Sequence, residues 1–350
     1  MTELTYIPLR LHTEFSITDG MVRIKKLIAK AQEYGLPALG ISDLMNEFGL
    51  VKFYKACRSA GIKPVGAADV WIGNPNAPDK PFRAMLIIRN DAGYLRLSEL
   101  LTAAYVGKDR NVHHAELNPE WLENGDNSGL ICLSGAHYGE VGVNLLNGNE
   151  DAARAAALKY AAWFPDAFYL ELQRLPERPE WEACVSGSVK LAEELGLPVV
   201  ATHPTQFMSR DDFNAHEARV CIAGGWVLTD KKRPRDFTPS QFFIPPETML
   251  ERFADLPEAL ENTVEIAKRC NIHITLGKNF LPLFPTPDGL SLDDYLVKLS
   301  NEGLQERMVQ LYPDEAERAA KMPEYQERLD FELNIIIQMK FPGYFLIVQD

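Results

Sequence analysis

Several common devices are missing from this sequence. It has five cysteines, Cys57, Cys132, Cys184, Cys221 and Cys270, which are widely spaced and odd in number with no CxxC pair. That spacing excludes a disulfide framework and a cysteine-built zinc site. No apolar run approaches the roughly 20 residues of a membrane-spanning helix. The start, MTELTYIPLR, has neither a basic region nor an apolar core, so no secretory signal is expected. A cytoplasmic protein with no membrane partner is the resulting expectation. Positive charge is also short: 36 Lys and Arg stand against 49 Asp and Glu, a net charge of −13, and an acidic surface repels phosphate, so this chain alone is not expected to grip DNA. No GxSxG elbow, GxxxxGK[ST] loop or HExxH pair occurs, and Gly224-Gly225-Trp226 is a turn signal, not a phosphate cradle. Repeats and low-complexity tracts are absent too.

What is present is alternation. Short apolar runs predict strands at Tyr6–Leu11, Ala38–Ser42, Pro64–Trp71, Ala84–Arg89, Gly129–Ser134, Ala167–Gln173 and Leu197–Thr202. Helical stretches lie between them. Ile24, Leu27, Ile28, Ala31 and Tyr34 share one face, as do Leu50, Phe53, Tyr54 and Cys57, with Gly35 and Gly61 at the expected helix ends. Alternation of this kind predicts parallel strands with right-handed crossovers. A closed β/α barrel and an open doubly wound sheet both satisfy it. His12-Thr-Glu-Phe-Ser16 stands where a dinucleotide fold would carry its glycines, which favours the barrel. Chemistry in a barrel sits at the C-terminal strand ends, here His12, Asp43, Asp69, Ala136-His137 and Thr202-His203.

The texture changes from Leu228. Prolines break the alternation, a basic run Lys231-Lys-Arg233 appears, and a helix follows with Leu260, Val264, Ala267 and Cys270 on one face. A second proline cluster, Pro282, Pro285 and Pro287, reads as a domain border, followed by helices near Leu292–Leu311 and Tyr325–Met339. The chain stops within an apolar run at Phe345–Val348, which reads as truncation.

His12 and Asp19 are metal-ligand types at the barrel mouth, although a lone histidine is more often structural. Asp43 and Asp69 could be ligands, and N-capping of the following helix explains each equally well. His113-His114 lies in a polar loop, and His137 and His203 have ordinary loop readings.

The run Arg10-Leu-His-Thr-Glu-Phe-Ser-Ile-Thr-Asp-Gly20 resembles the first motif of the polymerase-and-histidinol-phosphatase (PHP) domain. Further similar runs follow in order: Ala38–Asp43, Gly49–Tyr54, Gly61–Val65, Gly129–Gly135 and Phe168–Gln173. Leu256–Thr263 and Phe341–Val348 resemble the C-family of bacterial replicative DNA polymerases. The resemblance covers essentially the whole chain. It implies an α/β fold, a distorted seven-stranded β/α (TIM-like) PHP barrel over residues 1–275 with its C-terminal extension, then the beginning of an α-rich palm over 276–350.

The resemblance also implies a metal cluster of His, Asp, Glu and Cys ligands at the mouth of active members. This sequence keeps His12 and Asp19 and has the shorter Asp69 for a glutamate, while Arg10, Leu44, Arg83, Ala136, Pro204 and Gln206 stand where ligands are expected. Leucine, alanine and proline cannot coordinate, and arginine stays protonated. The expectation is a vestigial site with no bound metal or other cofactor, in which Arg10 or Arg83 pairs with Asp19 or Asp69. The implied role is structural support and a docking platform for a proofreading exonuclease subunit within the polymerase core and holoenzyme. DNA would be contacted through the full-length protein. The polymerase's catalytic aspartates and their Mg²⁺ would lie beyond this chain, leaving it no catalytic residue of its own. The alternative is a metal-dependent phosphoesterase or 3′–5′ exonuclease.

Overall fold

A computed structural model describes residues 6–278 and 282–349. The N-terminal Met1–Thr5, read above for a signal sequence, and Asp350 lie outside them. The chain divides into two compact units, Met1–Ile274 and Thr275–Asp350.

The first unit follows the alternation in order: α1 (Ile24–Glu33), β1 (Ala38–Leu44), α2 (Leu50–Ser59), β2 (Lys63–Ile72), β3 (Phe82–Ile88), α3 (Asp91–Val106), α4 (Pro119–Glu123), β4 (Leu130–Leu133), α5 (Glu140–Leu146), α6 (Glu150–Trp163), β5 (Phe168–Leu172), α7 (Glu182–Leu195), β6 (Val199–Ala201), α8 (Phe213–Gly224), α9 (Pro246–Arg252) and α10 (Pro257–Arg269). The sheet runs β1-β2-β3-β4-β5-β6. Every residue of β4 and β5 is buried, as expected of strands covered on both faces. α1 buries Ile24, Leu27, Ile28 and Ala31, the face its spacing predicts, and Gly35 beyond its end has φ +65°.

Two strand expectations are corrected. β3 runs antiparallel to both β2 and β4, so the sheet is mixed. The β2–β3 connection, Gly73–Pro81, carries no helix, and a parallel crossover needs a dozen residues or more. Tyr6–Leu11 is extended but is not a seventh regular strand. It lies between the two sheet edges: Gly40 N donates to Pro8 O (2.7 Å), Ser42 N to Leu11 O (2.9 Å) and His12 N to Thr205 O (2.9 Å). Pro8 has no N–H to give, and Leu11 N is taken by Ser42 Oγ at 2.9 Å, so a continuous ladder cannot form. The approach is close enough that a Cβ on Gly40 would lie 2.3 Å from Leu9 O. The sheet curls into a barrel-like wall that this segment bridges.

α10 completes the wall. It packs Ala259 and Leu260 with Tyr6, Leu172 and Ala201, while Asn262 donates to Val199 O (2.8 Å) and Thr263 Oγ1 accepts from Ile7 N (2.8 Å). Polar groups left open at β6 and at the N-terminal segment thereby find partners.

The second unit holds α11 (Leu292–Leu311), α12 (Glu315–Gln338) and α13 (Pro342–Gln349) around Leu296, Leu333 and Leu346. α12 starts ten residues before the predicted Tyr325, because Asp314 caps it by accepting from Glu317 N (2.9 Å). It also runs through Pro323, which is exposed, so water can reach the carbonyl that the missing N–H leaves free. The chain bends by 113° into α13 at a break where Lys340 has φ +60°. Among the described residues, no single helix is long and apolar enough to cross a membrane.

Candidate active site at the barrel mouth

Strand ends and the loops after them converge on one cavity of about 460 Å³. Arg10, His12, Asp19 and Leu44 line it, together with Asp69 from β2 and Arg83 from β3. Pro204 and Gln206 reach it from the loop after β6. Ala136 itself does not line the cavity, although its neighbours Gly135 and His137 do. The backbone is strained around the mouth: Ile17, Met45 and Ala136 have φ of 60°, 53° and 48°, in the left-handed region that non-glycine residues rarely adopt. Such strain clusters at active sites, ligand clamps and switch regions.

An ion-pair network lines the site. Arg10 grips Glu171 with two bonds, Nε to Oε1 at 2.7 Å and Nη2 to Oε2 at 2.9 Å, and reaches Asp69 Oδ2 with Nη1. Arg83 Nη2 bonds the same Asp69 oxygen. His12 spans two acids, Nδ1 to Asp19 Oδ1 and Nε2 to Asp69 Oδ2, both at 2.9 Å. Three cationic side chains thus face three carboxylates; of the expected pairings of Arg10 or Arg83 with Asp19 or Asp69, both arginines take Asp69.

Burial disfavours charge on His12, Asp19 and Asp69, and their partners outweigh it. Burial would lower His12, but Asp19 and Asp69 push it up to about 9, so the imidazole is protonated at neutral pH. Burial would raise Asp69, but Arg10, Arg83 and His12 hold it well below the usual carboxylate range. Asp19 is lowered likewise, chiefly by His12 against its burial. All three acids are therefore committed to cations that belong to the chain.

Glu171 was not singled out in the sequence, yet it anchors the network. It is 1 % exposed and also accepts from Gly135 N (3.1 Å) and Thr202 Oγ1. A single acid inside the apolar strand Phe-Tyr-Leu-Glu-Leu was the available signal. His216 is a second omission. Its ring is fully buried and hydrogen-bonds Asp19 O through Nε2, which steadies the Asp19 loop.

Other candidates lie apart. Asp43 neither caps α2 nor joins the ion network; it accepts from Thr13 N (2.7 Å) and Ser16 Oγ (2.8 Å), pinning the loop before Asp19. His203 turns away from the cavity, with Nε2 on Phe242 O (2.9 Å) and Nδ1 beside Arg252 (3.3 Å), and burial and Arg252 push it down to about 3. His114 pairs with Glu116 at 2.8 Å. From the basic run, Arg233 is tied to Glu217 at 2.6 Å.

The residues at the mouth do not fit a metal cluster. Among the described residues, no group of three or more His, Cys, Asp or Glu side chains is placed to hold an ion. Both nitrogens of His12 are hydrogen-bonded to carboxylates, and two guanidinium groups share the Asp69 oxygen that a cation would need.

Residues 8–175 match the family model described as PHP domain, and residues 294–350 match Bacterial DNA polymerase III alpha NTPase domain. Over 350 residues the chain is 98% identical to DNA polymerase III subunit alpha of Neisseria meningitidis serogroup A, covering 100% of this chain and 31% of that relative. It is 46% identical over 350 residues to the protein of the same name from Escherichia coli K12, covering 100% of this chain and 30% of the relative. A solved amidohydrolase from Chromobacterium violaceum aligns with a TM-score of 0.33 and 12% identity, over 61% of this chain and 96% of that one, a likeness too slight to bear on the site. The chain thus spans about three tenths of the length of the curated relatives it matches. It belongs to the family of bacterial DNA polymerase III alpha subunits and contains their PHP domain.

Proposed function

We propose that this chain is the structural and docking portion of a replicative DNA polymerase, and that its PHP mouth performs no hydrolysis. The observation that carries the reading is the Arg10–Asp69–Glu171–Arg83–His12–Asp19 network, which sits where metal-assisted hydrolysis would need open ligands. Polymerisation belongs to the full-length protein, whose catalytic aspartates and Mg²⁺ lie outside these residues. The barrel supports that polymerase and holds the proofreading exonuclease subunit that the degraded site makes necessary. A protein of the replication machinery works in the cytoplasm, and DNA reaches it through the rest of the polymerase.

Two measurements test this together. Mixed with the exonuclease subunit, the chain is expected to co-elute on size exclusion. Incubated with Mn²⁺ or Zn²⁺ and a 3′-ended oligonucleotide or an aryl phosphate, it is expected to release nothing above background. Separate elution would remove the docking role, and metal-dependent product release would restore the hydrolase reading.

A further inference from the structure

His137 follows β4 in a short turn, Ala136–Tyr138, on the cavity wall. It is 8 % exposed, and among the described residues neither ring nitrogen has a hydrogen-bond partner. Two unpaired buried nitrogens are costly unless something else meets them. The ring stacks on Trp181 (centroids 3.5 Å apart, planes 20° apart), with Tyr138 at 4.0 Å. Gln206 Oε1 and Asp69 Oδ1 are also buried without partners and belong to residues of the same cavity. On the wall, the Arg83 guanidinium lies 4.9 Å from the Trp71 ring and 5.7 Å from Tyr138.

These features select a ligand class. The cations at the mouth are each bonded to a carboxylate, so an anion would have to break those pairs. An alkyl ligand would leave the free nitrogens and oxygens unmet. Burial, with Arg83, Arg10 and Arg178 nearby, pushes His137 down to about 3, so at neutral pH the ring offers one donor and one acceptor. Two further acceptors suit an amino group. A cavity of about 460 Å³ lies in the range of small-molecule sites. Aromatic walls with a few polar groups are how an unstacked base is held.

We infer that the former metal cavity is a binding site for a neutral, planar, amino-bearing nitrogen heterocycle, an adenine or cytosine ring, stacked on the aromatic wall and hydrogen-bonded to His137 and Gln206. The inference rests on the reading of the mouth as metal-free. Binding is therefore measured in EDTA, where failure of the ligand site is distinct from any metal-dependent hydrolysis.

The probes are adenosine, cytidine, uridine and inorganic phosphate, titrated into the chain with histidine side chains labelled for NMR. Adenosine and cytidine are expected to shift the His137 ring signals saturably. Uridine, whose ring carries no amino group, is expected to bind about tenfold more weakly, and phosphate not at all. His137→Phe keeps a flat ring and removes both nitrogens, so affinity should fall about tenfold, the effect of one or two hydrogen bonds. Gln206→Leu, which removes the carboxamide together with its unpaired acceptor, should weaken binding severalfold and decides the matter if His137→Phe fails to fold. Absence of saturable shifts would overturn the proposal, as would competition by phosphate or wild-type affinity in the folded variants.

Discussion

Arg10 bonds Asp69 on β2 and Glu171 on β5, so its loss would leave two buried carboxylates without their shared counter-charge. Removing one partner of a buried ion pair costs about 3–5 kcal/mol, far more than loss of a surface pair. Arg10→Ala should therefore lower the chemical-denaturation stability of the barrel by that order, and a change under about 1 kcal/mol would show that the network is not formed. His12 gives a pH signature. Its folded pKa, about 9, lies above its ordinary 6.5, so its contribution is complete below pH 6.5 and is lost as pH rises through 9. Asp19 and Asp69 are shifted down, so theirs is present above the ordinary carboxylate pKa and is lost only in acid. The melting temperature should decline between pH 6.5 and 9, and His12→Gln should flatten that decline while lowering stability at pH 6. An unchanged slope in the variant would show that His12 is not the titrating group.

Elements were legible where side-chain period decides them. The predicted strands from Ala38 to Thr202 recur within about two residues, because buried runs between glycine or proline signals leave little choice. Strand direction carries no periodicity, and only the short Gly73–Pro81 connection marked β3 as reversed. Tyr6–Leu11 looked like a strand because its pattern is extended, whereas Pro8 and the Ser42 hydroxyl break its ladder. At the site, residue types marked positions that carry no ligand chemistry, such as Leu44, Ala136 and Pro204. They could not reveal that Glu171 would meet Arg10 across 161 positions of sequence, because that pairing is made by the curl of the sheet. α12 begins ten residues before the predicted Tyr325, and its Pro323 is tolerated because that position is exposed. Pro323→Ala should restore one helical hydrogen bond and stabilise the Thr275–Asp350 unit, by about 1–3 kcal/mol. Helix content followed by circular dichroism and the unit's unfolding midpoint would both rise; a fall in either would mean that the proline packs against something it needs.

For the whole molecule, an acidic chain with net charge −13 holds a barrel-like wall whose mouth is lined by mutually paired charges. Arg10 and Arg83 both meet Asp69, so two guanidiniums share the neutralisation of one buried carboxylate. Such a mouth needs no ion to neutralise its acids, and an arriving dication would face two guanidiniums and a protonated imidazole at close range. The account is tested most directly by elemental analysis of the purified chain after dialysis against a mixture of Zn²⁺, Mn²⁺ and Mg²⁺. No metal in stoichiometric amount is the predicted result. Two or three tightly held ions per chain would contradict it.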